Sequence, residues 1–169
     1  MNLSPPPGRI YLLRHAKSGW ATPGQRDFDR GLDDEGYAEA EIVTDRAADK
    51  GYRPDLVISS TAVRCRETAK AVRRAFPGDL EFRFIDELYN CPTDTYFEIL
   101  ATLSNIESVL MIGHNPAIEE ILGELIGPTA LGEAVPEGYP TAGFAVIDHA
   151  GEPIPDSRHS WRLTDFLAR

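Results

Sequence analysis

"IYLLRHAKSGW" (residues 10–20) opens as an unbroken apolar run and then, with no turn signal, sets Arg14, His15 and Lys17 on its end. A short continuous run of this kind is expected of a strand buried on both faces, as in a parallel sheet. "DLVIS" (55–59) and "SVLMIG" (108–113) repeat the pattern. Helix-like segments lie between them at about 33–50, 62–76 and 94–104, with a further one from about 116 to 126. This alternation predicts an α/β fold, a three-layer α/β/α sandwich around a mostly parallel central sheet.

The helix at 33–50 is well marked, with Asp33 or Asp34 as N-cap, Arg46 and Lys50 near its end and Gly51 just beyond. "EFRFI" (81–85) alternates and reads as a strand nearer the edge, while "GFAVID" (143–148) and "HSWRLTDFL" (159–167) read as two closing strands, making the sheet mixed. The Pro/Gly-rich stretch 125–143 reads as a loop.

At 169 residues the chain has the size of one domain, expected over 1–169 with 1–8 as a flexible N-terminal segment. A formal charge of −10 argues against nucleic-acid and anionic-membrane partners, although a local basic pocket could still attract a small phosphate. Cys65 and Cys91 are too few for a disulfide framework, and no stretch reads as a signal peptide or membrane span. A cytoplasmic protein is expected.

In open α/β sheets ligands bind beyond the carboxyl ends of the parallel strands. Those ends, "RHAKS", "SSTAVRCRET", "DELYN" and "GHNPAIEE", bring Arg14, His15, Arg64, Glu87 and His114 to one rim. Guanidinium forks match phosphate oxygens and keep their charge, so the set reads as an anion site. Asn115-Pro116 reads as an N-cap with proline at the first helical position, a helix start suited to an anion.

With these residues in view, the chain resembles the histidine phosphatase superfamily, also called phosphoglycerate mutase-like. Arg14-His15 matches its Arg-His signature, Arg64 in "STAVRCRET" its second arginine, and "GHNP" its Gly-His motif, in family order. "HAKSGW", "DFDRGLDDEG" and "PTAGFAVID" are similar to the compact bacterial branch related to the phosphohistidine phosphatases. Where the family usually has Arg-His-Gly this chain has Ala16, which fits only if the backbone there avoids positive φ.

The resemblance implies a metal-independent phosphatase, with no cofactor, acting on a phosphorylated small molecule or a phosphohistidine protein. His15 would attack phosphorus and form a phosphohistidine that water clears. Arg14, Arg64 and His114, the last most useful when protonated, would neutralise the oxygens. Glu87 would be the general acid, with Asp86 as the alternative, so that Glu87→Gln should slow alkyl phosphates more than aryl phosphates. Lys17 and Ser18 either touch phosphate or merely solvate the loop. A phosphoglycerate mutase-type transferase and a phosphate-binding regulatory module without turnover are the alternatives. Asp29 and Arg30 read as a structural pair, His149 and His159 as surface side chains, and Trp20 as bordering the mouth or capping the core. Both cysteines are left out of the site, Cys65 packing on the far face of its helix.

Overall fold

The computed structural model describes residues 3–154 and 160–169, so His159 lies outside the described residues. Strands β1 (Arg9–Arg14), β2 (Leu56–Ser60), β3 (Glu81–Ile85), β4 (Ser108–Gly113), β5 (Phe144–His149) and β6 (Trp161–Leu167) form one six-stranded sheet in the order β3-β2-β4-β1-β5-β6. The neighbours β1, β4, β2 and β3 run parallel, whereas β5 runs antiparallel to both its neighbours, β1 and β6, which makes the sheet mixed with β3 at an edge, as expected.

The unbroken apolar runs are explained by cover on both faces. Ile10, Leu12, Ile58 and Met111 point into one core with α3 (Thr93–Ala101) and α4 (Ala117–Ile126). Tyr11, Leu13, Val57, Leu110 and Ile112 point into the other with α1 (Asp34–Asp49) and α2 (Val63–Ala75). Successive residues of a strand face opposite ways, so a strand covered twice has no polar position to alternate with. The result is the three-layer α/β/α arrangement read from the sequence.

Asp33 is the N-cap of α1, its Oδ1 accepting the Gly36 N–H at 2.8 Å, and Gly51 follows the helix at φ +81°. Elsewhere the structure departs from the expectations. The stretch 125–143 contains a short helix, α5 (Pro128–Ala134), with proline in its first turn, where the missing N–H costs nothing. The N-terminal segment is anchored from Leu3 onward: Leu3 is buried, its carbonyl accepts the Trp161 indole N–H at 3.2 Å, and the Gly8 N–H reaches the Glu107 carbonyl at 3.0 Å. Asp29 pairs with Arg26 rather than Arg30, and Arg30 pairs with Asp27, because a 3-10 turn at Asp27–Asp29 brings residues three apart together. His149 packs edge-on against Trp161. No helix among the described residues is long and apolar enough to cross a membrane.

Candidate active site

Arg14 and Gly113 are register partners at the ends of β1 and β4, and the His15 N–H continues the ladder to the Gly113 carbonyl at 3.0 Å. His15 and His114 are therefore the next residues on adjacent strands, and their rings lie 5.4 Å apart between centroids. Gly113 is required by a close approach: a Cβ there would sit 2.1 Å from Tyr96 Oη, the same atom that accepts the His114 backbone N–H at 3.3 Å. Ala16 lies outside the positive-φ residues and its methyl is fully buried in the α1/α2 core, so the departure from Arg-His-Gly carries no backbone strain.

His15 is buried, and its Nδ1 lies 2.7 Å from the Ala16 carbonyl. A carbonyl only accepts, so Nδ1 carries the proton and Nε2 keeps its lone pair. Burial first, opposed by the Ala16 carbonyl and seconded by His114 and both arginines, pushes the His15 pKa down to about 3. His114 Nε2 lies 2.8 Å from Ser60 Oγ, which already accepts the Ala62 N–H at 3.2 Å. A hydroxyl has one proton to give, and in the tautomer in which Ser60 gives it to Nε2, His114 is a donor at Nδ1. Burial, with Arg64 next, lowers the His114 pKa to about 4, so this ring is neutral near pH 7, contrary to the expected protonated form.

Arg14 gives Nη1 to the Tyr139 carbonyl at 2.7 Å, and Arg64 gives Nη1 to the Asp27 carbonyl at 2.9 Å and Nη2 to Asp27 Oδ2 at 3.1 Å. Asp27 also accepts Tyr89 Oη–H at 2.7 Å and Arg30 at 2.9 Å, and these bonds hold its carboxyl far below the usual carboxylate range. Among the described residues, three buried nitrogens remain without a partner: Arg14 Nε, Arg64 Nε and His114 Nδ1. Both arginine nitrogens are donors, as is Nδ1 in the tautomer with Ser60 donating to Nε2, and buried donors seldom stay unpaired. Together they suit an acceptor-rich anion.

These groups line a cleft of about 810 Å³ together with Lys17 and Ser18. Both loop residues are already engaged: Lys17 Nζ bonds Glu35 and lies 3.8 Å from Asp33, and Ser18 Oγ bonds Arg30. Glu87 is not brought to the others. A 3-10 turn at Asp86–Leu88 ends β3, turns Leu88 inward and leaves Glu87 exposed outside the cleft lining. Asp86 is exposed too and accepts the Thr61 hydroxyl at 2.7 Å. The carboxylates that do line the cleft are Asp27 and Glu120, the latter bonded by the Thr93 hydroxyl.

Both cysteines border the site despite being left out of it. Cys65 Sγ is 3.5 Å from His114 Nε2, its thiol pushed up to about 12 by burial, and Cys91 lines the cleft. Trp20 caps nothing, being 98% exposed. Asn115 Oδ1 accepts the Glu119 N–H at 3.2 Å, but Pro116 takes the cap position and α4 begins at Ala117. Asp27, Tyr89, Tyr96 and Tyr139 escaped the sequence reading because each acts through a turn or a long-range contact that no local spacing announces.

The sequence matches the histidine phosphatase superfamily (branch 1) over residues 10–92. A crystal structure of a SixA from Agrobacterium tumefaciens, assigned as a phosphohistidine phosphatase, is 51% identical, covering 96% of this chain and 99% of that one with a TM-score of 0.88. An uncharacterized chloroplastic protein of Arabidopsis thaliana is 33% identical over 129 residues, 70% of this chain but only 59% of the plant protein's length. An uncharacterized Mycobacterium tuberculosis protein is 32% identical over 145 residues, covering 82% of this chain and 88% of its own. Motif order, sheet topology and similarity along nearly the whole chain agree: the protein belongs to the histidine phosphatase superfamily and is a phosphatase with a phosphoglycerate mutase-like fold.

Proposed function

We propose that the chain, as a single domain, hydrolyses a phosphorylated side chain or small phosphate ester, without metal, through a covalent phosphohistidine on His15. The observation that carries this reading is the set of unpartnered buried nitrogens on Arg14, Arg64 and His114 around a neutral histidine whose Nε2 lone pair is free. Arg14, Arg64 and the His114 Nδ1–H bind the equatorial oxygens, where positioning and electrostatics supply most of the rate. His15 Nε2 forms a bond to phosphorus as the bond to the leaving group breaks, the electron pair going to the leaving atom. Water then attacks the phosphohistidine, releasing phosphate and restoring His15.

The leaving group has little help from the protein. Asp27 is held as a carboxylate by its hydrogen bonds, Glu120 at the cleft wall is engaged by the Thr93 hydroxyl, and Glu87 stands outside the cleft. A phosphorylated imidazole is the leaving group best suited to such a site: protonated on its distal nitrogen, it departs as a neutral ring and needs no enzyme acid. Phosphohistidine on a protein is therefore favoured over an alkyl phosphate, in keeping with the assignment of the Agrobacterium relative.

The test is a rapid quench of the wild type with an aryl phosphate, an alkyl phosphate and a histidine-phosphorylated peptide, each with and without chelator. A phosphoenzyme at His15 and turnover indifferent to chelator are expected, with the peptide preferred over alkyl phosphates. His15→Ala should lose about 10³-fold or more in kcat, the scale of removing a nucleophile. Chelator-sensitive turnover, or undiminished turnover in His15→Ala, would overturn the proposal.

A further inference from the structure

On the outer face of α2, Arg66, Lys70 and Arg73 follow one another at helical spacing and so share a stripe. All three are exposed, and among the described residues none has a carboxylate partner. That is unusual in a chain of formal charge −10, where carboxylates are plentiful. The neighbouring Arg74 and Arg83, by contrast, are paired with Glu41 and Glu81. Nearby carboxylates are engaged elsewhere: Glu67 by Tyr37 and the Leu32 N–H, and Asp86 by Thr61.

The edge strand β3 lies beside this stripe. It presents Phe82 and Phe84, stacked at 6.3 Å between centroids, and Phe84 is 38% exposed. The Arg73 guanidinium lies 4.0 Å from the Phe82 ring centroid and that of Arg66 lies 5.4 Å from Phe84. Cation–π contact holds both forks in place while leaving their N–H donors unused. The side chains enclose a groove of about 190 Å³ between helix and strand. Because β3 pairs only with β2, its outer edge offers free main-chain groups.

We infer that this groove binds an acidic, extended polypeptide segment, which adds along the free edge of β3 and sets its carboxylates against Arg66, Lys70 and Arg73. Edge addition supplies main-chain affinity, and the cationic stripe supplies selectivity and rate of encounter. The occupant is a segment of the phosphoprotein whose phosphorylated residue enters the cleft, a clause that rests on the proposed function. The two places are close: α2 carries Arg64 into the cleft and Arg66 onto the groove, and Arg64 to Arg73 spans about 14 Å of helix axis, or roughly four residues of extended chain. A phosphate polymer could also meet the cations, but it has no main-chain N–H and C=O groups to pair with the free edge of β3.

The experiment measures fluorescence anisotropy of a fluorescein-labelled octaglutamate peptide with the full chain, beside an octaglutamine control. Saturable binding at low salt is expected, at least tenfold weaker in Lys70→Glu/Arg73→Glu and in high salt, and unchanged in Arg14→Ala. Lys70→Gln, which touches neither ring, should give a smaller loss and keeps the test decisive if the double variant folds poorly. Absence of binding, equal binding of octaglutamine, or indifference to the groove variants would overturn the inference. So would loss in Arg14→Ala alone, which would assign the peptide to the cleft, or tighter binding of a single-stranded oligonucleotide. Hydrolysis of an aryl phosphate, run in parallel, should be unchanged in the groove variants. If the wild type shows no such hydrolysis, the phosphatase mechanism fails while anisotropy still decides the groove.

Discussion

Each histidine owes its state to one local oxygen. The Ala16 carbonyl leaves His15 Nε2 bare, and the Ser60 hydroxyl, by giving its proton to Nε2, favours His114 as a donor at Nδ1. Ser60→Ala removes the second control, freeing the other tautomer, and should lower kcat/KM for an aryl phosphate by about tenfold, the scale of one net hydrogen bond. Steady-state kinetics beside a urea melt separates this from loss of fold. Glu87 offers the opposite case. Exposed outside the cleft, it should tolerate Glu87→Gln with less than about a twofold change on alkyl and aryl phosphates alike, well short of the 10²–10⁴ a general acid supplies. A selective loss on the alkyl substrate would restore it to the mechanism.

At the scale of elements, two glycines mark where chain segments touch too closely for a side chain. A Cβ on Gly113 would meet the Tyr96 ring and hydroxyl, so Gly113→Ala should push α3 from β4 and displace His114, with activity falling further than stability as read by kinetics and urea melts. Gly36 sits in the first turn of α1, where helix propensity alone favours alanine by about 1 kcal/mol. The Cβ would lie 1.9 Å from the Lys17 carbonyl, backbone that cannot rotate away, and the overpacking cost of about 1–3 kcal/mol outweighs that gain. Gly36→Ala should therefore lower the urea midpoint. The buried strands and capped helices were legible because burial on two faces and capping leave local signs: the β3 and β4 boundaries agree with the runs at 81–85 and 108–113. Arg14, His15, Arg64 and His114 were legible as neighbours because strand ends converge. What was not legible came from turns. The Asp86–Leu88 turn put Glu87, expected at the rim from its place at the end of β3, outside the cleft, and the Asp27–Asp29 turn exchanged the expected arginine partners. α5 was hidden by the Pro and Gly that flank it, both of which read as loop.

Across the whole molecule, the two buried neutral rings make stability depend on pH. In the unfolded chain both take up protons as pH falls through about 6.5. In the folded chain they stay neutral down to about 4 for His114 and about 3 for His15. Between those limits the unfolded state binds more protons, so stability is lost as pH falls from about 6.5 toward 4, by at most about 1.4 kcal/mol per pH unit for each ring. Urea melts at neutral and mildly acidic pH should show this slope reduced in His114→Asn. The register of β1 on β4 has a wider consequence. Because Arg14 faces Gly113, the spacing of the two rings is set by the lateral repeat of a sheet, about 4.8 Å, rather than by any side-chain packing. The pair is in effect measured with a ruler that substitutions away from the β1–β4 seam leave untouched. Transplanting it would require only two adjacent parallel strands ending level, each followed by a histidine, so the bottleneck for building such a site anew is the phosphate clamp around it.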